Sequence, residues 1–208
     1  MTSQVPNGKP DTLCMAPWVH TYLSPQTERR MCCASREPAQ SFRQYIDTNA
    51  GTGEYNPQTL EEWWNGEHMR SVRVRMIRGE TLPECEVCNN KLLNTDVYRS
   101  YFWHLFKDNY IQALSTTDWE TGHYNGKPVS WDYRFSNLCN FKCRMCGEQL
   151  SSSWEAEKRK NDLWSVETQP FMVPEIKEKM QNFQTDVVEE EFRDAVRRGI
   201  VEECYWVG

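Results

Sequence analysis

From Val129 to Ser136 the chain alternates strictly, with Val129, Trp131, Tyr133 and Phe135 apolar and Ser130, Asp132, Arg134 and Ser136 polar. A period of two sends the two sets to opposite faces of a β-strand, and this is the clearest strand in the sequence. A helical period follows at about 181–198, where Phe183, Val187, Val188, Phe192, Ala195 and Val196 recur on one side and Arg197, Arg198 and Gly199 supply a stop. Ile200 to Val207 reads as another strand. Strand, loop, helix and strand predict a βαβ unit of a parallel sheet, in which functional residues occupy loops at the carboxyl ends of the strands.

Upstream the pattern is less regular. Residues 1–12 are polar, contain Pro and Gly, and read as a flexible tail. Trp18 to Leu23 is strand-like, and Thr48 to Pro57 is a turn-rich linker. A helix is predicted from Thr59, where Glu62 lies three residues after a capping hydroxyl; it restarts after Gly66, stops at Gly79, and buries Met69, Val72, Met76 and Ile77. Residues 95–115 form a second helix candidate with Tyr98, Tyr101, Phe102, Trp103, Phe106 and Tyr110 around most of its circumference, as expected of a core helix between two layers. These patterns divide the chain into a tail (1–12), a Cys-rich irregular module (13–92), a helical connector (93–128) and an α/β segment (129–208).

With 38% hydrophobic and 12% aromatic residues in 208, the chain has enough apolar material for an ordered core. The formal charge of −6, with basic and acidic residues interspersed, argues against nucleic acid or anionic lipid as partners. No stretch reaches the roughly 20 apolar residues of a membrane helix, and the opening residues lack the basic and apolar regions of a signal peptide. A reducing cytoplasm is therefore the expected location, and there the nine cysteines point to metal or redox chemistry rather than disulfides.

Directly after the alternating strand, Cys139, Cys143 and Cys146 place three thiols within eight residues. Thiolates are the usual ligands of iron–sulfur clusters, and a four-iron cubane with three local cysteines keeps one iron open for a cofactor. Zinc is the competing occupant, but a closed structural zinc site takes four ligands and no fourth Cys or His is near in sequence. The order Cys-x3-Cys-x2-Cys after a first strand resembles the defining motif of the radical S-adenosylmethionine (SAM) superfamily. That resemblance implies a partial (β/α)6 TIM-like barrel and a SAM-binding 4Fe–4S cluster on Cys139, Cys143 and Cys146. It further implies reductive cleavage of SAM to a 5′-deoxyadenosyl radical that abstracts hydrogen from a substrate. Met145 occupies the place of the aromatic that contacts adenine in the family, and Gly208 would be the first glycine of the Gly-Gly-Glu segment that meets the SAM amino group. Two of the barrel's six strands fall in this sequence, and another chain could complete it.

The remaining grouped cysteines are Cys14, the Cys32-Cys33 pair, and Cys85 with Cys88. Neighbouring strand residues face opposite ways, so one of Cys32 and Cys33 is expected to ligate, and Cys32 is chosen with Cys33 as alternative. With Trp64-Asn65 near a helix and a closing Cys-x2-Cys, this set resembles the SPASM or shortened twitch module. The resemblance implies a second 4Fe–4S cluster on Cys14, Cys32, Cys85 and Cys88, although such modules usually follow the radical core rather than precede it. Four thiolates would also satisfy zinc. The resemblances imply a peptide or protein substrate and an electron donor such as flavodoxin or ferredoxin. The alternatives are an inactive or partner-completed iron–sulfur fragment and a zinc-stabilised interaction module.

His20, His68, His104 and His123 have no metal-like spacing and read as packed or solvated residues, and Cys204 as a buried small hydrophobe. Ser151 to Ser153 read as a helix start and Glu155 to Lys160 as its solvated face. Asp132 and Arg134 form either an ion pair or a polar face turned towards a substrate cavity. Phosphate-cradling Gly-rich loops, nucleophile elbows and His-Glu-x-x-His helices do not occur, so hydrolase chemistry has no support.

Overall fold

A computed structural model describes residues 10–36, 57–91, 97–166 and 168–205. The Thr48 to Asn56 part of the linker, most of the tail and Gly208 lie outside the described residues. Pro10 to Thr12, read from the sequence as tail, begin an ordered turn in which the Pro10 carbonyl accepts from Leu13 N–H at 3.0 Å.

Trp18 to Leu23 is only partly extended. Ala16–Val19 forms one helical turn (α1) with Pro17 in its first positions, where a missing N–H costs nothing. His20–Leu23 then forms strand β1 and Arg29–Arg30 the short antiparallel β2. Thr59 caps α2 (Leu60–Trp64) through the predicted reciprocal bonds with Glu62, and α3 (Glu67–Ile77) follows Gly66. Gly79 ends it with φ +73°, a left-handed conformation natural for glycine. A 3-10 turn at Pro83–Cys85 leads into α4 (Glu86–Asn89).

The aromatic helix is not continuous. α5 (Val97–Phe106) and α6 (Tyr110–Ser115) are separated by a 3-10 turn at Lys107–Asn109. Nor is it enclosed on all sides: Phe102, Phe106 and Tyr110 are buried, whereas Val97, Tyr101, Leu105 and Ile111 are exposed. The alternating segment gives β3 (Ser130–Tyr133), buried on both faces because it is an inner strand. α7 (Ser152–Lys160) comes next, and the predicted helix at 181–198 is the end of a longer one. It starts at Pro174 as α8 (Pro174–Phe183), widens to a π-helical stretch at Gln184–Val188, and continues as α9 (Glu189–Arg197). The last described strand is β4 (Glu203–Tyr205), where Cys204 is half-buried rather than fully enclosed.

The fold is mixed α/β with a four-stranded sheet of order β2-β1-β3-β4. β3 pairs in parallel with β4, Trp131 opposite Cys204, and also in parallel with β1, Thr21 opposite Trp131. A strand of the Cys-rich segment thus shares a sheet with the α/β segment, and the core runs across the boundary drawn from the sequence.

The sheet has two unlike faces. Leu23, Trp131 and Tyr133 pack with Val188 and Ala195, with Phe192 against the Trp131 ring at 5.8 Å. Burying side chains of this size stabilises by about 3–5 kcal/mol each relative to alanine. Behind them Arg29 is fully buried and satisfied, donating to the Tyr133 hydroxyl and the Glu191 carboxylate, each at 2.6 Å, and to the Gln58 carbonyl at 2.7 Å. On the other face His20 lies 4.7 Å from the Phe102 ring of α5, and its Nδ1 meets Ser130 Oγ at 2.8 Å. Here Asp132 and Arg134 form the ion pair, 3.3 Å apart, with the guanidinium over the Tyr22 ring. A second core joins Trp18, Trp63, Trp64, Met69, Met76 and Leu114 beneath α3 and α6.

Gly122 permits one close approach in that core. It sits at φ +74°, and a Cβ there would lie 2.1 Å from the Arg70 carbonyl oxygen. Among the described residues no helix is long and apolar enough to cross a membrane.

Candidate iron–sulfur site

Cys14, Cys32, Cys85 and Cys88 line one small cavity beside β1, together with Met31, Tyr98 and Arg99. Each thiol is placed by a tight turn. Cys14 lies two residues before the start of α1, and its sulfur accepts the Ala16 N–H. Cys32 begins a turn closed by Ser35, whose N–H and hydroxyl both donate to the Cys32 carbonyl, and its sulfur accepts the Ala34 N–H. Cys85 and Cys88 are one helical turn apart, a spacing that brings them to the same side. Backbone N–H bonds to sulfur are among the levers that tune iron–sulfur clusters.

Burial pushes the Cys14 thiol up to about 12, with the neighbouring Cys85 and Cys88 sulfurs adding to the rise and Arg99 opposing it. Cys32 is raised well above the ordinary thiol range, chiefly by burial and then by Cys14 and Cys33. Protonated thiols packed this closely are what metal binding relieves, since the metal replaces the protons.

Cys33 stands apart from the cavity. Its surroundings are Asp132, Arg134 and the Tyr98 hydroxyl, which hydrogen-bonds with its sulfur; burial and Asp132 raise this thiol while Arg134 and Tyr98 oppose the rise.

The second set occupies the loop between β3 and α7. Cys139 and Cys146 are half-buried and Cys143 is exposed. The loop has no regular structure and is held by the amino end of α7. Ser151 Oγ donates to the Phe141 carbonyl at 2.6 Å, Ser152 Oγ to Cys139 at 3.0 Å, and Trp154 Nε1 to Cys143 at 3.1 Å. Cys146 N–H closes a turn on the Cys143 carbonyl at 3.1 Å. Ser151 and Ser152, read only as part of a helix start, therefore also fix the cysteine backbone. Leu138, Phe141 and Met145 project outward, Met145 being 90% exposed.

Glu155 differs from its predicted solvated position. It is 5% exposed, accepts from Lys177 at 2.6 Å, Asn137 at 2.9 Å and Arg159 at 3.0 Å, and so ties the root of the loop to α7 and α8. Burial alone would raise its carboxyl, but these bonds and the Lys177 charge hold it below the usual range. From the far side, Gln26 in the β1–β2 turn donates to the Gln149 carbonyl at 2.7 Å. Neither role has a local sequence signature, because both partners are distant along the chain.

The two thiol sets lie towards opposite ends of the sheet: Cys14 precedes β1, whereas the three-cysteine loop follows β3, which runs parallel to β1. Among the described residues, no three Cys, His, Asp or Glu side chains converge tightly enough to share a single metal ion. A tetrahedral zinc site places each sulfur about 2.3 Å from one metal, whereas in a cubane each thiolate binds a different iron. A cleft of about 630 Å³ is lined by Trp64, Tyr124, Trp131, Glu191, Asp194 and Arg198 among others and by none of the cysteines. Two of its acids are engaged, Glu191 by Arg29 and Asp194 by Arg198.

No curated protein and no solved structure matches the chain. Residues 14–89 match the SPASM family, an iron–sulfur cluster-binding domain that is associated with radical SAM proteins, and this stretch contains every cysteine of the first cavity.

Proposed function

We propose that the chain carries two 4Fe–4S clusters and forms the SAM-cleaving part of a radical enzyme that acts on a peptide or protein side chain. One observation carries the reading: four thiols that all fall within the SPASM match line one cavity, and a strand of that stretch pairs in parallel with β3, which leads into the three-thiol loop. Cys14, Cys32, Cys85 and Cys88 would hold the auxiliary cluster, leaving no iron open, and Cys139, Cys143 and Cys146 the other.

Cys139, Cys143 and Cys146 would hold a cluster that, when bound, would supply a free iron site for SAM and the electron for its reductive cleavage to methionine and a 5′-deoxyadenosyl radical. The chain's own residues position and shield. Ser151, Ser152 and Trp154 fix the loop carbonyls and so the directions of the thiols. Phe141 and Met145, exposed beside Cys143, offer an apolar surface to the adenine, and Gly208 is assigned to the SAM amino group. β3 and β4 serve as the first parallel strands of a partial (β/α)6 barrel, completed by further strands or a partner chain. A flavodoxin- or ferredoxin-type donor delivers the electron.

The test is anaerobic reconstitution with iron and sulfide analysis of wild type and of C139A/C143A/C146A. About eight irons per chain falling to about four supports two clusters. One zinc and no labile sulfide contradicts them.

A further inference from the structure

The β1–β2 hairpin reaches from one thiol set to the other. Its base carries Cys14, ahead of α1 and β1, and Cys32, two residues after Arg30. Its tip, Ser24 to Glu28, follows Leu23, whose carbonyl accepts the Arg134 N–H at 3.0 Å where β3 leads on towards Cys139. The tip therefore lies at the carboxyl end of β3, the end that holds the three-thiol loop.

This tip is buried and held in one shape. Ser24, Gln26 and Thr27 are all buried. Ser24 N–H donates to the Glu28 carbonyl at 3.0 Å and Thr27 N–H to the Ser24 carbonyl at 2.9 Å, while Ser24 Oγ accepts from the N–H groups of Gln26 and Glu28. Thr27 takes φ +63°, a left-handed conformation that a β-branched residue keeps only where its surroundings over-determine it. Those surroundings come from distant elements. Gln184, at the start of the π-helical stretch, donates to the Pro25 carbonyl at 2.7 Å, and Arg29 ties β2 to Tyr133 and Glu191. Strained turns and π-helical stretches both recur at functional sites, and here the two meet.

From this fixed tip Gln26 Nε2 donates to the Gln149 carbonyl at 2.7 Å. The carbonyl before it, that of Glu148, accepts from Asn137 Nδ2 at 2.9 Å. Gln149 is three residues past Cys146, so two side-chain amides clamp the exit of the loop, one from its own root and one from 123 residues earlier in the chain. Groups that orient metal ligands without touching the metal are commonly worth about 10–100-fold in affinity or activity.

We propose that Gln26 is a positioning residue for the cluster of Cys139, Cys143 and Cys146: the hairpin, rooted in the four-thiol module, fixes the loop beyond Cys146 through the Gln149 carbonyl. This rests on the iron–sulfur reading given above. Gln26 acts on the loop backbone alone, and no covalent bond changes.

The test compares the anaerobically reconstituted full chain as wild type, Q26A, Q26E and T27G. In EPR of the reduced protein titrated with SAM, Q26A and Q26E, the latter keeping the shape but losing the N–H donor, need about tenfold more SAM for the half-maximal change at wild-type iron content. In hydrogen exchange read by mass spectrometry, both exchange faster across 138–150 and as wild type across 83–90. T27G, whose glycine accepts φ +63° without strain, matches wild type in both. A loaded Q26A with the wild-type SAM titration overturns the proposal, as does a T27G shift as large as that of Q26A. If Q26A does not load, exchange decides: faster exchange confined to 138–150 supports the proposal, and exchange that is unchanged there, or raised equally at 83–90, overturns it. A wild type whose clusters ignore SAM sinks the SAM reading itself, and the exchange of Q26A still tests the clamp.

Discussion

His20 is a buried group whose protonation the fold opposes. It is 3% exposed, packs between the rings of Phe102 and Tyr205, and meets Ser130 Oγ at 2.8 Å while that hydroxyl donates to Glu203 Oε2 at 3.1 Å. With the serine proton directed at Glu203, the His20 Nδ1–H is the donor to Ser130, which fixes the neutral tautomer. Burial lowers its pKa from 6.5 to about 3, against a smaller opposing effect of the Ser130 backbone. A depressed folded-state value means that the unfolded chain binds the proton first. Stability from this group is therefore complete above pH 6.5 and lost progressively down to about pH 3. Between pH 7.5 and 5 the loss is roughly 2 kcal/mol, since about one and a half pKa units lie between 6.5 and the lower pH. His20→Asn keeps an N–H donor and has no charge to gain. Urea unfolding followed by tryptophan fluorescence at both pH values checks this: wild type loses about 2 kcal/mol more than H20N on going to pH 5. An equal loss in the two proteins would show that His20 is not held neutral by burial.

Glu155→Gln leaves Lys177 and Arg159 facing a neutral group at the root of the cysteine loop and costs about 2 kcal/mol in urea unfolding at neutral pH, below the ~3–5 kcal/mol of a fully buried pair because both cations are partly exposed. Its carboxyl is held low in the fold, so wild type loses this contribution only as pH falls below the unfolded carboxylate value of about 4.3 and through the folded one, and E155Q has none to lose. Gly122→Ala places a Cβ against the Arg70 carbonyl at positive φ and costs more than about 2 kcal/mol, read as a thermal midpoint lowered by at least about 4 °C. Cys88→Ser removes about half of the iron and labile sulfide, whereas Cys33→Ser, away from the cavity, leaves both near the wild-type amounts.

The legible parts of the fold were those with local causes. Thr59 and Glu62 cap a helix within one turn, Gly79 stops the next, and the strict alternation around Trp131 marks β3. The start of α8 was hidden because residues 174–182 carry few apolar positions, so the helical period emerges only from Phe183. The pairing of β1 with β3 joins residues about 110 apart, and no local period encodes a partner so distant. Charge misled at Glu155: a Glu/Lys/Arg run looks solvated, yet Lys177 from another helix turns its first carboxylate inward. The cysteine spacings pointed to metal chemistry, but not to Cys32 lining the cavity while Cys33 lies against Tyr98, nor to Arg99 in the wall, both of these residues coming from a helix read only as core.

The central claim is an open iron at Cys139, Cys143 and Cys146, and EPR of the reduced, reconstituted chain with and without SAM tests it most directly. The account predicts two cluster signals, one of which changes on adding SAM and disappears in C143A. Two clusters that both ignore SAM, or zinc in place of iron, would contradict it.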